Sequence, residues 1–301
     1  MPEVIEIRKY ADFLTKKVKG ATLTDIIILK GRYDTHGPFE NYNLLLENLP
    51  LKILDIRTKG KFLYIVLEND YYIFSTLGLS GGWVFSKNGK DRITFTNMLD
   101  YANSGAMQQY KKTALNNLNV QFKTTKGSIF YYDALSFGTL KLIKGFDDLR
   151  KKLATLGPDI MEDTTTFEVF LNQMEKRSVQ DKEIGLVLLN QKIISGIGNY
   201  LRADVLWASE VSPFRLVRDL TTNELEKIYN NAKVLIWYDY DYDKGINIGI
   251  INEQTKVPSD YDRDFFIYRQ DTDPHGNQVL KDELYTGKFK RFIYWVKEVQ
   301  K

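Results

Sequence analysis

The spacing of apolar residues changes character at Gly157-Pro158, and that change bounds most of what can form. Before it, short Gly-punctuated stretches rich in Ile, Tyr, Phe and Val read as strands. After it, apolar residues recur at helical spacing. A β-rich half followed by a helical half predicts an α+β chain, and 301 residues are enough for each half to bury its own core. Strands are expected at residues 25–29, 51–57, 62–67, 71–77, 92–96, 119–123 and 129–133, spaced as in a sandwich or barrel. An amphipathic helix from Val4 to Val18 precedes them, with Ile7, Ala11, Leu14 and Val18 on one face. The stretch 87–118 is too long for a hairpin connection and reads as an excursion. Beyond Pro158, Thr165/Glu168 and Thr221/Glu224 have capping-box spacing, and a helix is expected to end near Tyr238. Residues 239–262 read as loop, and the remainder as a hairpin with 265–268 as one strand and 273–277 as its turn. The expected layout is a helix and β-sandwich domain over 1–144, a hinge over 145–158, a helical domain over 159–260 and a β-hairpin over 261–301.

Composition removes whole classes of function. There is no cysteine, which excludes disulfides, thiol nucleophiles, iron–sulfur clusters and Cys-ligated zinc. Two histidines, His36 and His275, are too few for a multi-histidine metal centre, and no cofactor is expected. No apolar run approaches the ~18 residues of a spanning helix, so no membrane partner is expected. The N-terminus lacks the basic, apolar, cleavable pattern of a secretory signal. Net charge is only +3, yet residues 280–301 carry six basic side chains against three acidic ones, an excess equal to that of the whole chain. Tyr285, Phe289, Phe292, Tyr294 and Trp295 are interleaved with them. That mixture suits a polyanion with stackable bases; a hairpin holding its lysines in water has the same pattern.

Three segments can carry chemistry. Removal of Met1 would expose Pro2 as a secondary amine, substantially neutral near pH 7 because α-amino groups titrate at about 7.7–8.0. Such an amine attacks an aldehydic sugar carbon to give an iminium, an electron sink, and Glu3 beside it could act as general acid. Proline and acidic residues also suit any helix N-terminus. In Ser195-Gly196-Ile197-Gly198-Asn199, two glycines between apolar helical patterns make a tight turn. Its amides could take a phosphate, or the turn could serve packing alone. Lys59-Gly60-Lys61-Phe62 is a basic corner entering a strand.

In this order and spacing, these features resemble the formamidopyrimidine-DNA glycosylase/endonuclease VIII family of base-excision repair enzymes, over residues 2–300. The anchors are Pro2, Glu3 and Glu6 of the Pro-Glu-x-x-Glu start, Lys61 at the family's strand lysine, and Asn190 to Ala203 of the helix–two-turn–helix motif. The resemblance implies a bifunctional DNA glycosylase/AP lyase acting on oxidised bases by β,δ-elimination. Pro2 would be the nucleophile, Glu3 the acid, Lys61 a phosphate contact assisting proton transfer, and Glu6 a shaper of the pocket. Asn199 and Arg291 would hold phosphates, and the void left by the flipped base would be filled by Leu79, Leu135 and Phe137. The partner is then damaged DNA, bound by a monomer inside the cell, wherever genomic DNA resides.

The chain departs from the family pattern at informative places. Leu135 stands where an arginine usually pairs with the orphaned base, so discrimination of the opposite base should be poor and single strands or bubbles become plausible substrates. Gly185 stands where a phosphate-binding lysine is frequent, with Lys182 nearby. The tail resembles the zincless-finger branch, held by packing of Phe266, Tyr268, Tyr294 and Trp295, and this branch together with the Leu79 wedge points to oxidised pyrimidines and hydantoins. Residues 239–262 would lie beside the flipped base. Two other readings remain: a catalytically weak or inactive damaged-DNA-binding protein of the same fold, and an RNA-binding relative, against which the β domain and the Pro-Glu start argue.

Overall fold

A computed structural model describes residues 2–87, 95–97, 116–241, 265–286 and 289–301. The chain divides into two compact units, Met1–Ala154 and Thr155–Lys301.

In the first unit, helix α1 spans Val4–Val18, the expected bounds, and buries Val4, Ile5, Ile7, Tyr10, Ala11, Leu14 and Val18. Strands follow at Thr22–Ile28 (β1), Leu51–Lys59 (β2), Phe62–Leu67 (β3), Tyr71–Thr76 (β4), Gly81–Ser86 (β5), Phe95–Asn97 (β6), Leu118–Thr124 (β7), Gly127–Asp133 (β8) and Thr139–Lys144 (β9). Short helices at Arg32–Thr35 (α2) and Tyr42–Glu47 (α3) join β1 to β2. All pairings between these strands are antiparallel, in the order β6-β5-β8-β7-β1-β2-β3-β4-β9. β1 and β2 share only two pairs, Thr22↔Lys52 and Leu23↔Leu51, and the sheet turns a corner there. Its halves close on each other: the indole of Trp83, near one end of the order, donates to Ser75 Oγ, near the other, at 3.3 Å. The dry interior takes Leu63, Ile65 and Ile73 from one half and Trp83, Val120, Phe122 and Ile129 from the other, with α1 supplying Ile7 and Leu14. This is the expected sandwich.

Two strands were not expected from the sequence. β5 opens with Gly81-Gly82, and glycine argues against a strand. Here it is required, because a side chain at 82 would collide with the hydroxyls of Tyr10 and Tyr132. β9 alternates over Thr139-Leu140-Lys141-Leu142, but the run is short. Within the 145–158 stretch read as a hinge, Phe146–Ala154 forms helix α4, tied to β2 by Lys59 Nζ donating to Leu153 O at 2.9 Å. Most of the 87–118 excursion lies outside the described residues.

The second unit holds helices α5 (Phe167–Met174), α6 (Ile184–Val187), α7 (Asn199–Ala208) and α8 (Thr222–Asp241), then a hairpin of β10 (Leu280–Thr286) and β11 (Phe289–Trp295). The first cap falls one residue later than expected: Thr166, not Thr165, accepts from the Val169 amide, because the Thr165 hydroxyl donates to Asp159 O at 2.6 Å. The second cap forms as spaced, with the Thr221 amide donating to Glu224 at 2.8 Å and the Glu224 amide to Thr221 Oγ1 at 3.2 Å. Residues 265–268 are not a strand. The amides of Phe266, Ile267 and Tyr268 all donate to the Asp204 carboxylate at 3.2, 3.0 and 3.2 Å, which bends this segment and takes its donors away from any ladder. Among the described residues, no helix is long and apolar enough to cross a membrane.

Candidate active site and nucleic-acid interface

Pro2 and Glu3 stand at the head of α1, both buried, with Glu3 0% exposed. Glu3 is the N-cap, and its amide donates to Glu6 Oε2 at 2.8 Å. Glu6 therefore shapes this end of the helix by fixing the backbone of Glu3, one turn below it. Further along α1, the hydroxyls of Tyr10 and Tyr132 lie 2.6 Å apart, pinning the helix to β8 over the space that Gly82 leaves. Lys61 is half-buried on the two-residue turn between β2 and β3, with Gly60 at φ 53° preceding it. It thus occupies a hairpin tip and not a strand, on the strand pair that α1 covers.

Leu79, Leu135 and Phe137 come together as two adjoining loop tips, 46%, 55% and 61% exposed. Leu79 is an exposed loop residue and not a leucine buried at a strand end. Asp133, itself buried, joins the loops: Ser80 Oγ donates to it at 2.5 Å, the Gly138 amide at 2.6 Å and the Leu135 amide at 3.2 Å. Gly78, at φ 55°, allows the close approach, since a Cβ there would fall 2.6 Å from the Gly138 nitrogen. Arg32 Nη1 donates to Ser136 O and Gly138 O at 3.3 and 3.2 Å from the other side. Three apolar side chains are thereby held in water on a rigid base. That is costly in a monomer unless something displaces the water. Asp133, Ser80 and Arg32 were missed as supports; the legible signal was an Asp four residues before an exposed Phe-Gly.

Helices α6 and α7 flank the glycine turn. Gln191 organises it: the Gly196 amide donates to Gln191 Oε1 at 3.0 Å, while Gln191 Nε2 donates to Leu189 O and Ile197 O at 3.0 and 2.9 Å. Gly196 sits at φ 113°. Ser195 Oγ donates to Gly157 O at 3.1 Å, fastening the turn to the start of the unit. Asn199 is the first residue of α7, half-buried, beside amides that α-helix geometry leaves without partners within the helix. Gly185 is buried, and a Cβ there would meet Leu284 Cδ1 at 2.8 Å and Pro213 O at 2.9 Å, so no lysine fits at this position.

The hairpin carries Arg291, exposed and paired across the ladder with Leu284. On its other face Phe292, 43% exposed, lies under Lys281 Nζ at 4.4 Å and Lys290 Nζ at 5.3 Å. Of the four aromatics expected to hold the finger, Tyr268 does pack on Tyr294, at 5.2 Å. Phe266 instead packs on Trp207 at 5.3 Å and Trp295 on Phe214 at 5.1 Å. Polar side chains were missed. Asp204 takes the three amides described above; burial pushes its carboxyl up to about 6, only partly countered by those amides. Asp273 gathers the His275 and Asn277 amides, Asn277 Nδ2 and the Trp207 indole, at 2.8 to 3.1 Å. Without cysteine a four-thiolate zinc site does not fit this chain. The signal for Arg202 and Asp204 was two charges in a helix otherwise reading as core.

Residues 1–140, 156–246 and 257–301 match the family models for the formamidopyrimidine-DNA glycosylase N-terminal domain, H2TH domain and C-terminal domain. The chain is 27% identical over 232 residues to formamidopyrimidine-DNA glycosylase of Bacillus cereus, covering 76% of this chain and 74% of that one. It is 26% identical over 230 residues to endonuclease 8 of Pectobacterium atrosepticum, covering 76% and 75%. Among solved structures, the Lactococcus lactis formamidopyrimidine-DNA glycosylase bound to DNA containing an AP site shares the fold with a TM-score of 0.72 at 18% identity, over 99% of each chain. With domains matched in order along nearly its whole length, the chain belongs to the formamidopyrimidine-DNA glycosylase/endonuclease VIII family.

Proposed function

We propose that this protein is a base-excision repair DNA glycosylase with AP lyase activity, acting inside the cell on oxidised bases through an iminium formed at Pro2. The observation that supports the reading most is the Pro2-Glu3 pair, set at the head of a helix locked to the sheet in the unit that matches the family's N-terminal domain. Once Met1 is removed, the Pro2 nitrogen attacks C1′ of the extruded nucleotide as the bond to the base breaks. Glu3 protonates the sugar ring oxygen, the ring opens, and the nitrogen lone pair gives the cationic iminium. Loss of a C2′ proton expels the 3′ phosphate, and a second elimination expels the 5′ phosphate. Lys61 and Arg291 contact phosphate, Asn199 takes a further phosphate at the glycine turn, and Leu79, Leu135 and Phe137 fill the vacated stack.

With Met1 attached, the Pro2 nitrogen is a peptide amide and no nucleophile, so the reading requires Met1 removal. Leu135 offers no hydrogen bond to an orphaned base. Oxidised pyrimidines and hydantoins in single strands or bubbles should therefore be cut about as well as in duplexes. A cleavage panel across these substrates tests the proposal, with an uncleaved N-terminal extension as the blocked control. Excision and double elimination by the native chain, lost in the extended one, is the expected result. Equal activity with the blocked terminus would refute a Pro2 nucleophile.

A further inference from the structure

We propose that Arg202 is a positioning residue that sets the phosphate contacts at Asn199 and Arg291 as one unit. The inference rests on the DNA-binding reading above. Arg202 lies on α7, one turn after Asn199, and is 0% exposed. It therefore touches no phosphate itself. Its Nη1 donates to Gly185 O at 2.9 Å, and its Nη2 donates to Phe292 O at 2.7 Å and Asn199 Oδ1 at 3.4 Å. One planar fork thus joins three elements: the helix before the glycine turn, the first residue after it, and the hairpin strand beside Arg291.

Two consequences follow from donor chemistry. A guanidinium only donates, so it draws the Asn199 amide oxygen inward and leaves the amide NH₂, the group a phosphate accepts from, directed away from Arg202. The bond to Phe292 O fixes the backbone one residue from Arg291, so the direction in which Arg291 leaves β11 depends on Arg202. Steric fit supports the same junction. Gly185, whose carbonyl Arg202 holds, has no room for a side chain because Leu284, the cross-strand partner of Arg291, seats against it. Gly185 is thus a seat for the finger. The rest of the finger is anchored independently, by Asp204 to residues 266–268 and by Trp207 to Asp273. A change at Arg202 should therefore loosen β11 without unfolding the unit.

The test uses the full chain and a duplex containing a tetrahydrofuran abasic analogue, with affinity measured as a function of salt. Arg202→Lys is the main variant, since an ammonium keeps charge but lacks the planar two-nitrogen fork that reaches both carbonyls; Arg202→Met is the second, and melting temperature controls for folding. Arg202→Lys should weaken binding ~10-fold and lower the salt slope by about 1, the signature of one lost phosphate contact made elsewhere. Arg291→Ala should cost ~10-fold in the native chain but less than ~2-fold in the Arg202→Lys background. Full cost of Arg291→Ala in that background, or an unchanged salt slope with weakened binding, would overturn the proposal and leave Arg202 a packing residue. Failure of the native chain to prefer this duplex over undamaged DNA would instead refute the DNA-binding reading, and the proposal with it.

Discussion

Asp133 decides whether three exposed apolar side chains stand still. Its buried carboxylate accepts from Ser80 Oγ and from the amides of Leu135 and Gly138, so Asp133→Ala strands several buried donors at once. An orphaned buried donor costs about 1–3 kcal/mol. The variant should lose about 2–4 kcal/mol in urea unfolding and excise from duplexes more slowly, as its wedge wanders. Unchanged stability would mean the loops are held by other means. Leu135 makes the opposite case. Being 55% exposed, it should accept arginine with a stability change within about 0.5 kcal/mol. Leu135→Arg restores a donor for the orphaned base, and a good base contact is worth about 1–3 kcal/mol of discrimination. Excision rates across the four opposite bases should spread by ~5-fold or more in the variant and stay within ~2-fold in the native chain. No added spread would show that Leu135 does not face that base.

At the scale of elements, the start of α8 predicts an acid limb. Burial tends to raise the Glu224 carboxyl, but hydrogen bonds from Arg215 and from Thr221 outweigh it and bring it down to about 2. Lowered in the folded state, the group contributes stability that is full above about pH 4.5 and is lost as pH falls toward about 2. Glu224→Gln should be less stable at pH 7 and flatter between pH 5 and 2.5, measured by thermal melting; an unaltered slope would contradict the assignment. This cap was legible because both partners are close in sequence, as was α1, whose apolar face repeats without interruption. β3 was legible too, being apolar and bounded by turns. The missed elements depend on distant partners. Gly81-Gly82 becomes strand because Tyr10 and Tyr132 need the space, and 265–268 bends because Asp204, some sixty residues earlier, collects its amides. No local pattern carries those facts. Around the candidate site, order and spacing singled out the motif residues, whereas of their supports Asp133 and Arg202 left only a faint signal and Gln191 none.

Across the whole molecule, each unit buries its own core, and the proposed reaction calls on residues of both: Pro2, Glu3, Lys61 and the apolar wedge from the first, Asn199, Arg202 and Arg291 from the second. Charge divides the other way from the hairpin's local excess: residues 1–154 carry 23 basic against 15 acidic side chains, whereas residues 155–301, despite their basic hairpin, carry 19 against 24. In the proposed reading, affinity for DNA should fall with salt through phosphate contacts in both units, Arg291 among them, while the chemistry belongs to the N-terminal end of the sequence. The loop at 239–262, expected beside the flipped base, lies almost wholly outside the described residues. The account stands or falls on which atom joins the sugar. Borohydride reduction during reaction with abasic DNA, followed by tryptic digestion and mass spectrometry, identifies it. The added mass should sit on the nitrogen of Pro2, in a peptide running from Pro2 to Arg8 with Met1 gone. An adduct on Lys61 or any other lysine, or tight binding with no adduct at all, would contradict the mechanism proposed here.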